Sequence, residues 1–114
     1  MAHKIDTIRK RSVFLHVRDN GISKKSNGFN LQLLEDSNLD NIILIGYIAS
    51  KKIGKAVMRN KAKRIMRELA RNVISKYGKL NTYYILIAKS SIFDIPFKNQ
   101  KEDLQKLISW LWNI

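Results

Sequence analysis

The sequence predicts an α+β fold, with helices covering a mixed sheet on one face, and three observations carry that expectation. Two segments, "NIILIGYIAS" at 41–50 and "TYYILIAK" at 82–89, are dense in the β-branched and aromatic residues that suit buried strands. Between them, apolar residues from Ala56 to about Lys76 recur at helical spacing. A chain of 114 residues is expected to form one domain spanning 1–114, able to bury roughly 65% of the surface its unfolded chain exposes.

The elements follow in order. Residues 8–18, "IRKRSVFLHVR", space Leu15, Phe14 and Val17 as a short helix would, and Gly21 is placed to stop it. "GISKKSNG" reads as a turn-rich loop. "FNLQLLE" (29–35) alternates, which predicts a strand with Phe29, Leu31 and Leu33 on one face. The polar stretch 35–41 reads as a hairpin turn into the strand at 41–50. In the long helix Met58, Ala62, Ile65, Met66, Leu69 and Val73 share one arc, with Arg59, Lys63, Arg64, Arg67 and Arg71 opposite. Ile74 falls on the wrong side of that wheel. After the strand at 82–89, Pro96 marks a loop and Asn99 is a plausible N-cap, with Glu102 three residues on, for a last helix striped by Leu104, Leu107, Ile108 and Leu111. Of Trp110 and Trp112 at its end, one is expected to anchor the helix and the other to be partly exposed.

Composition narrows the function. With 22 Lys and Arg against 9 Asp and Glu, the net charge is +13, which suits a polyanion such as nucleic acid before an anionic membrane surface. The absence of cysteine excludes disulfides and thiolate zinc sites, and His3 and His16 are too few for a metal cluster. The longest apolar run, "IILIGYIA", has eight residues, against about 20 for a membrane span. The N-terminus lacks the apolar segment of a secretion signal, so the expectation is a cytoplasmic protein with no membrane partner.

The charge is concentrated. Residues 51–71 hold nine Lys or Arg and one Glu, whereas residues 26–50 hold three acids and no base. Pairing at i,i+4 with Glu68 alone cannot balance that face, so an anionic ligand is the better physical reading than a merely solvated helix. At 50–56 a strand gives way to a helix through Gly54, and a helix N-terminus offers unpaired N–H groups to phosphate, here flanked by Lys51, Lys52 and Lys55. Arginines downstream can fork onto phosphate oxygens and lysines act as point charges. Asn60 is either a plain surface amide or a donor to a base edge, 2′-OH or phosphate.

At these residues the chain resembles the protein subunit of bacterial ribonuclease P. The matching string is Ser50-Lys51-Lys52, Gly54, Ala56-Val57, Arg59-Asn60-Lys61, Lys63-Arg64, Arg67 and Glu68, with Lys61 where the family usually has a third Arg. The resemblance implies an αβββαβα sandwich whose parallel strand pair is joined by a left-handed crossover through the motif helix, against the usual right-handed rule. It implies that Lys51, Lys52, Lys55, Arg59, Asn60, Lys61, Lys63, Arg64 and Arg67 face the catalytic RNA. It also implies a cleft between the first helix and the sheet for the single-stranded 5′ leader of precursor tRNA. There Arg9-Lys10, Phe14 and Gly21 match the family's pattern, Arg18 stands at its second aromatic position, and Gln32, flanked by Asn30, corresponds to an aromatic on the facing strand. Two readings of Phe14 stand side by side: a stacking platform for a leader base, and a core residue of an amphipathic helix.

No Ser/His/Asp or paired-carboxylate constellation is visible; Glu35-Asp36 reads as an acidic turn and His16 as a surface or packing residue. The resemblance implies hydrolysis by the RNA and its bound Mg²⁺, with none held by the protein alone, and a monomeric protein, one per RNA. The rivals are a structural RNA-binding protein of ribosomal type and a DNA-binding helix module, the latter disfavoured because no second helix joins the basic one through a short turn.

Overall fold

The computed structural model describes residues 4–112, with side chains for residues 4–109. The elements are β1 (Ile5–Thr7), α1 (Arg11–Asn20), β2 (Ile22–Lys25), β3 (Phe29–Glu35), β4 (Ile43–Ile48), α2 (Ala56–Leu69), α3 (Ser75–Tyr77), β5 (Thr82–Ala88) and α4 (Phe97–Trp112). The strands form one mixed sheet in the order β1-β4-β5-β3-β2. β4 lies parallel to both β1 and β5, while β3 is antiparallel to β5 and to β2. The helical stretch containing α2 thus connects two adjacent parallel strands, β4 and β5.

Alternation along the strands divides the core. Phe29, Leu31 and Leu33 of β3, Ile43 and Ile45 of β4, and Tyr84 and Leu86 of β5 are buried under α2 and α4. The other face carries Leu34, Leu44, Tyr83, Ile85 and Ile87, and Val13, Phe14 and Val17 of α1 pack on it. Helices therefore cover both faces, not the single face expected. Ile85 is itself fully buried, which a strand with only one covered face would not give.

Several local expectations are corrected. The "GISKKSNG" stretch is not all loop: Ile22–Lys25 pairs with β3 as a charged edge strand. The polar stretch 35–41 is not a hairpin turn, because β3 pairs with β5 rather than with β4. β1 is not predicted by the sequence pattern, and Ile8, inside the predicted helix, instead donates its backbone N–H to the Ile45 carbonyl (2.9 Å), so α1 starts at Arg11. Met58 is exposed rather than in the core. Asn99 lies inside α4, and the Pro96 carbonyl accepts from the N–H groups of Asn99 (3.0 Å) and Gln100 (3.2 Å) to begin that helix. Leu104 and Ile108 are buried as expected; the side chains of Trp110, Leu111 and Trp112 lie outside the described residues, as does His3.

The long helix changes its winding. α2 passes into a π-helical segment at Ala70–Ile74 before α3. A π turn inserts an extra residue, setting back the phase of everything after it, and Ile74 thereby turns into the core, where it is fully buried. Side chains supply donors along this stretch: Asn72 Nδ2 donates to the Glu68 carbonyl (2.7 Å) and Ser75 Oγ to the Arg71 carbonyl (2.5 Å).

Candidate nucleic-acid interface

The turn from β4 into α2 is built by backbone bonds. A 3₁₀ turn, Lys51–Ile53, is closed by the Ile53 N–H on the Ser50 carbonyl (3.0 Å) and the Gly54 N–H on the Lys51 carbonyl (3.2 Å). Gly54 has φ of 136°, a region that side chains disfavour. Arg59 Nη1 donates to the Gly54 carbonyl (2.9 Å), so this arginine braces the turn. Lys55 opens α2 without a side-chain cap, and the first turn holds no acid. The uncapped N–H groups and the positive end of the helix dipole therefore sit among the exposed Lys51, Lys52 and Lys55, an arrangement suited to phosphate.

Along α2, Ala62, Met66 and Leu69 are fully buried, which fixes where the other side chains stand. Asn60, Arg64 and Arg67 are exposed on the outward side. Lys61 lies on one flank, with Nζ 5.7 Å from the centre of the Phe93 ring. Lys63 lies on the opposite flank, half-buried, and Arg67, one turn on, has its guanidinium carbon 5.9 Å from the centre of the Tyr47 ring. Among the described residues of 51–71, Arg71 alone forms an ion pair, with Glu68 (2.8 Å). The other cations of this stretch are not held by any carboxylate among the described residues.

Beside this helix is a cleft of about 540 Å³. It opens where β1 ends: β1 pairs with β4 only as far as Thr7 and Ile45, leaving the last part of β4 at an open edge. α1 supplies one wall through Arg11, Phe14, Leu15 and Arg18, with Arg9 just ahead of it. Gln32, Ile48 and Ile87 come from the sheet, and Tyr47, Ala49 and Lys63 from the side of α2. Of the residues expected to form a leader site, the fold brings Arg9, Phe14, Arg18 and Gln32 together here. Lys10 is exposed at the start of α1, and Asn30 lies two residues before Gln32 on β3; neither lines the cleft. Asn30 Oδ1 is buried without a hydrogen-bond partner among the described residues.

Seven lining residues are not assigned there from the sequence: the aliphatic Leu15, Ile48, Ala49 and Ile87, and three that carry polar groups, Arg11, Lys63 and Tyr47. Arg11 could have been found, since Arg11, Phe14, Leu15 and Arg18 have the i, i+3, i+4, i+7 spacing of one helix face. Lys63 falls on the outward arc of the helical wheel, yet it borders the cleft. Tyr47 alternates away from Gly46 and Ile48 and so reads as core; only the shortness of β1 gives it an open edge.

The cleft's charge is lightly compensated. Arg9 meets Asp6 at 3.7 Å and Arg18 meets Asp19 at 3.0 Å, both at exposed positions. Such pairs are worth about 0–1 kcal/mol, so they offer weak competition to a polyanion. Phe14 is half-buried: it packs with Val17 and Ile85, as a core residue does, and it also lines the cleft. Burial raises the Tyr47 hydroxyl above its ordinary pKa of 10.0, opposed by the positive charges of Arg67 and Arg71, so the phenol is neutral at physiological pH.

His16 sits on the exposed side of α1, its Nδ1 3.2 Å from Asn20 Nδ2, as a surface residue would. Lys79 Nζ donates to Glu35 (3.1 Å), and Asp36 accepts from the Asn38 N–H (2.9 Å). Among the described residues no group of three or more His, Cys, Asp or Glu is placed to hold a metal ion. Nor is any described helix long and apolar enough to cross a membrane.

Comparison with known proteins agrees with this geometry. The ribonuclease P family model matches residues 2–111. The ribonuclease P protein component of a Nitratiruptor species is 31% identical over 105 residues, covering 91% of this chain and 90% of the relative. That of Bacillus pumilus is 35% identical over 104 residues, covering 91% and 86%. Among solved structures, the Staphylococcus aureus ribonuclease P protein superposes with a TM-score of 0.76 at 26% identity, over 93% of this chain and 94% of that one. The Thermotoga maritima protein gives 0.76 at 26% identity, over 90% and 94%. The chain therefore belongs to the ribonuclease P family, as the protein subunit that works with an RNA subunit in removing tRNA 5′ leaders.

Proposed function

We propose that this chain divides its work between two adjoining surfaces. The turn at 51–55, braced by Arg59, and α2, with Asn60, Arg64 and Arg67 on its outward side and Lys61 and Lys63 on its flanks, bind the RNA subunit. The cleft at the β4 edge, with Arg9, Phe14, Arg18 and Gln32 and the nearby Lys10 and Asn30, holds the single-stranded leader of precursor tRNA. The observation that carries this reading is a helix face whose cations, Arg71 apart, have no carboxylate partner among the described residues, running directly into a cleft walled by further arginines. Stacking on Phe14 suits a single strand, since every base offers a π-face and the surrounding cations follow the backbone.

In this reading the RNA performs the phosphodiester hydrolysis, with Mg²⁺ held on the RNA. No step in this reading runs through a protein-held ion; among the described residues no three His, Asp or Glu side chains gather as metal ligands. What the chain contributes is electrostatic and positional. Its cations reduce repulsion between two polyanions, and holding the leader fixes the scissile bond relative to the RNA. The protein acts as one RNA-binding domain over 1–114, as a monomer with one copy per RNA, in the cytoplasm.

Reconstitution with the RNA subunit tests this. Cleavage of precursor tRNA at low Mg²⁺ is expected to depend on added protein. Equal cleavage with and without the protein would overturn the reading.

A further inference from the structure

We infer that Tyr47 is a nucleobase-contacting residue of the cleft, at the point where the leader groove and the α2 face become one surface. The inference rests on the leader reading above and adds a contact that motif and spacing did not assign.

Backbone geometry puts Tyr47 at an open edge. The Ile43 N–H donates to the Lys4 carbonyl (3.0 Å), and the Ile45 carbonyl accepts from the Ile8 N–H (2.9 Å), so alternate residues of β4 turn their backbone toward β1. Tyr47 is next in that series, but β1 has already ended. The space a longer β1 would fill is cleft. This is why a residue on the core-facing parity of β4 still lines it.

The surroundings favour a base over other ligands. Phe14 and Tyr47 are the two aromatic side chains in the lining, one carried by α1 and the other by β4. Cations stand on both sides of Tyr47: Arg11 and Arg18 on the α1 wall, Lys63 on the α2 side. A cationic groove interleaved with aromatic rings is what a single-stranded nucleic acid requires, with backbone tracked by charge and bases by stacking. The guanidinium of Arg67 lies over the ring, its carbon 5.9 Å from the ring centre, adding a further cation beside it.

The test uses protein reconstituted with its RNA subunit and compares precursor tRNA carrying a leader with leaderless mature tRNA. Tyr47→Phe keeps the ring and is expected to retain the leader's contribution to affinity within about twofold, whereas Tyr47→Leu loses about tenfold of precursor affinity with mature tRNA binding unchanged. A precursor carrying 5-iodouridine in its leader is expected to photocrosslink to Tyr47 in the wild-type complex. A Tyr47→Leu protein that keeps the full leader contribution, or loses equally for both RNAs, overturns the inference, as do crosslinks confined to Phe14. If the wild type itself fails to distinguish the two RNAs, the leader reading fails and this inference with it. If the wild type distinguishes them and Tyr47→Leu does so equally well, only the role of Tyr47 falls.

Discussion

Phe14 rests on Gly46: a Cβ added at Gly46 would lie 2.7 Å from Phe14 Cζ, closer than real side chains approach. The bare backbone of β4 at this point sets how deeply the aromatic ring sits between the α1 core and the cleft. Gly46→Ala is expected to push the ring outward, with an overpacking cost of about 1–3 kcal/mol. Urea denaturation should show that loss, and precursor binding should weaken while mature tRNA binding holds.

Removing the ring separates its two roles. Phe14→Ala should weaken binding of leader-bearing precursor by about 1–3 kcal/mol if a base stacks there, with mature tRNA bound as before. Equal losses for both RNAs would make Phe14 a purely structural residue.

The π-helical segment makes a prediction about stability alone. Ile74 is fully buried because of that change of winding, so Ile74→Ala should cost about 2–5 kcal/mol. It touches neither proposed surface, and the salt dependence of RNA binding should not change. Thermal unfolding paired with a salt titration of binding checks both parts.

Tyr47 also gives a pH signature. Its pKa is raised in the folded state, chiefly by burial, so folding favours the protonated phenol. The associated stability is fully present below the unfolded pKa of 10.0 and is lost as pH rises through the higher folded value. Lysines titrate in the same range, so the comparison must be with Tyr47→Phe. As pH rises above about 10 the wild type should lose more stability than that variant, measured as the difference in urea midpoints.

Much of the fold was legible because its core elements obey simple periods. Met66 and Leu69 announced the α2 face, and Leu31 and Leu33 the buried side of β3. What escaped depends on distant partners. Nothing local in "FNLQLLE" says that β3 pairs with β5 across the sheet, so the polar residues after Glu35 were read as a hairpin turn. Ile22–Lys25 looks like loop because an edge strand can be polar on both faces. Ile74 misfits any wheel that assumes constant winding. The cationic half of the site was written in residues 51–67, since charge needs no tertiary context to be seen. The cleft was less legible: Tyr47 joins it only through the early end of β1, a three-residue strand with too short a pattern to detect.

The central claim is that unpaired cations on α2 and its leading turn dock a structured RNA through its phosphates. The slope of log affinity against log salt for the RNA subunit measures this directly. Neutralising about five phosphates predicts a slope of about −3.5 to −4.5, with each added Lys→Gln among Lys51, Lys52 and Lys55 making it shallower by up to about 1. A wild-type slope near about −1, unmoved by those substitutions, would contradict the account.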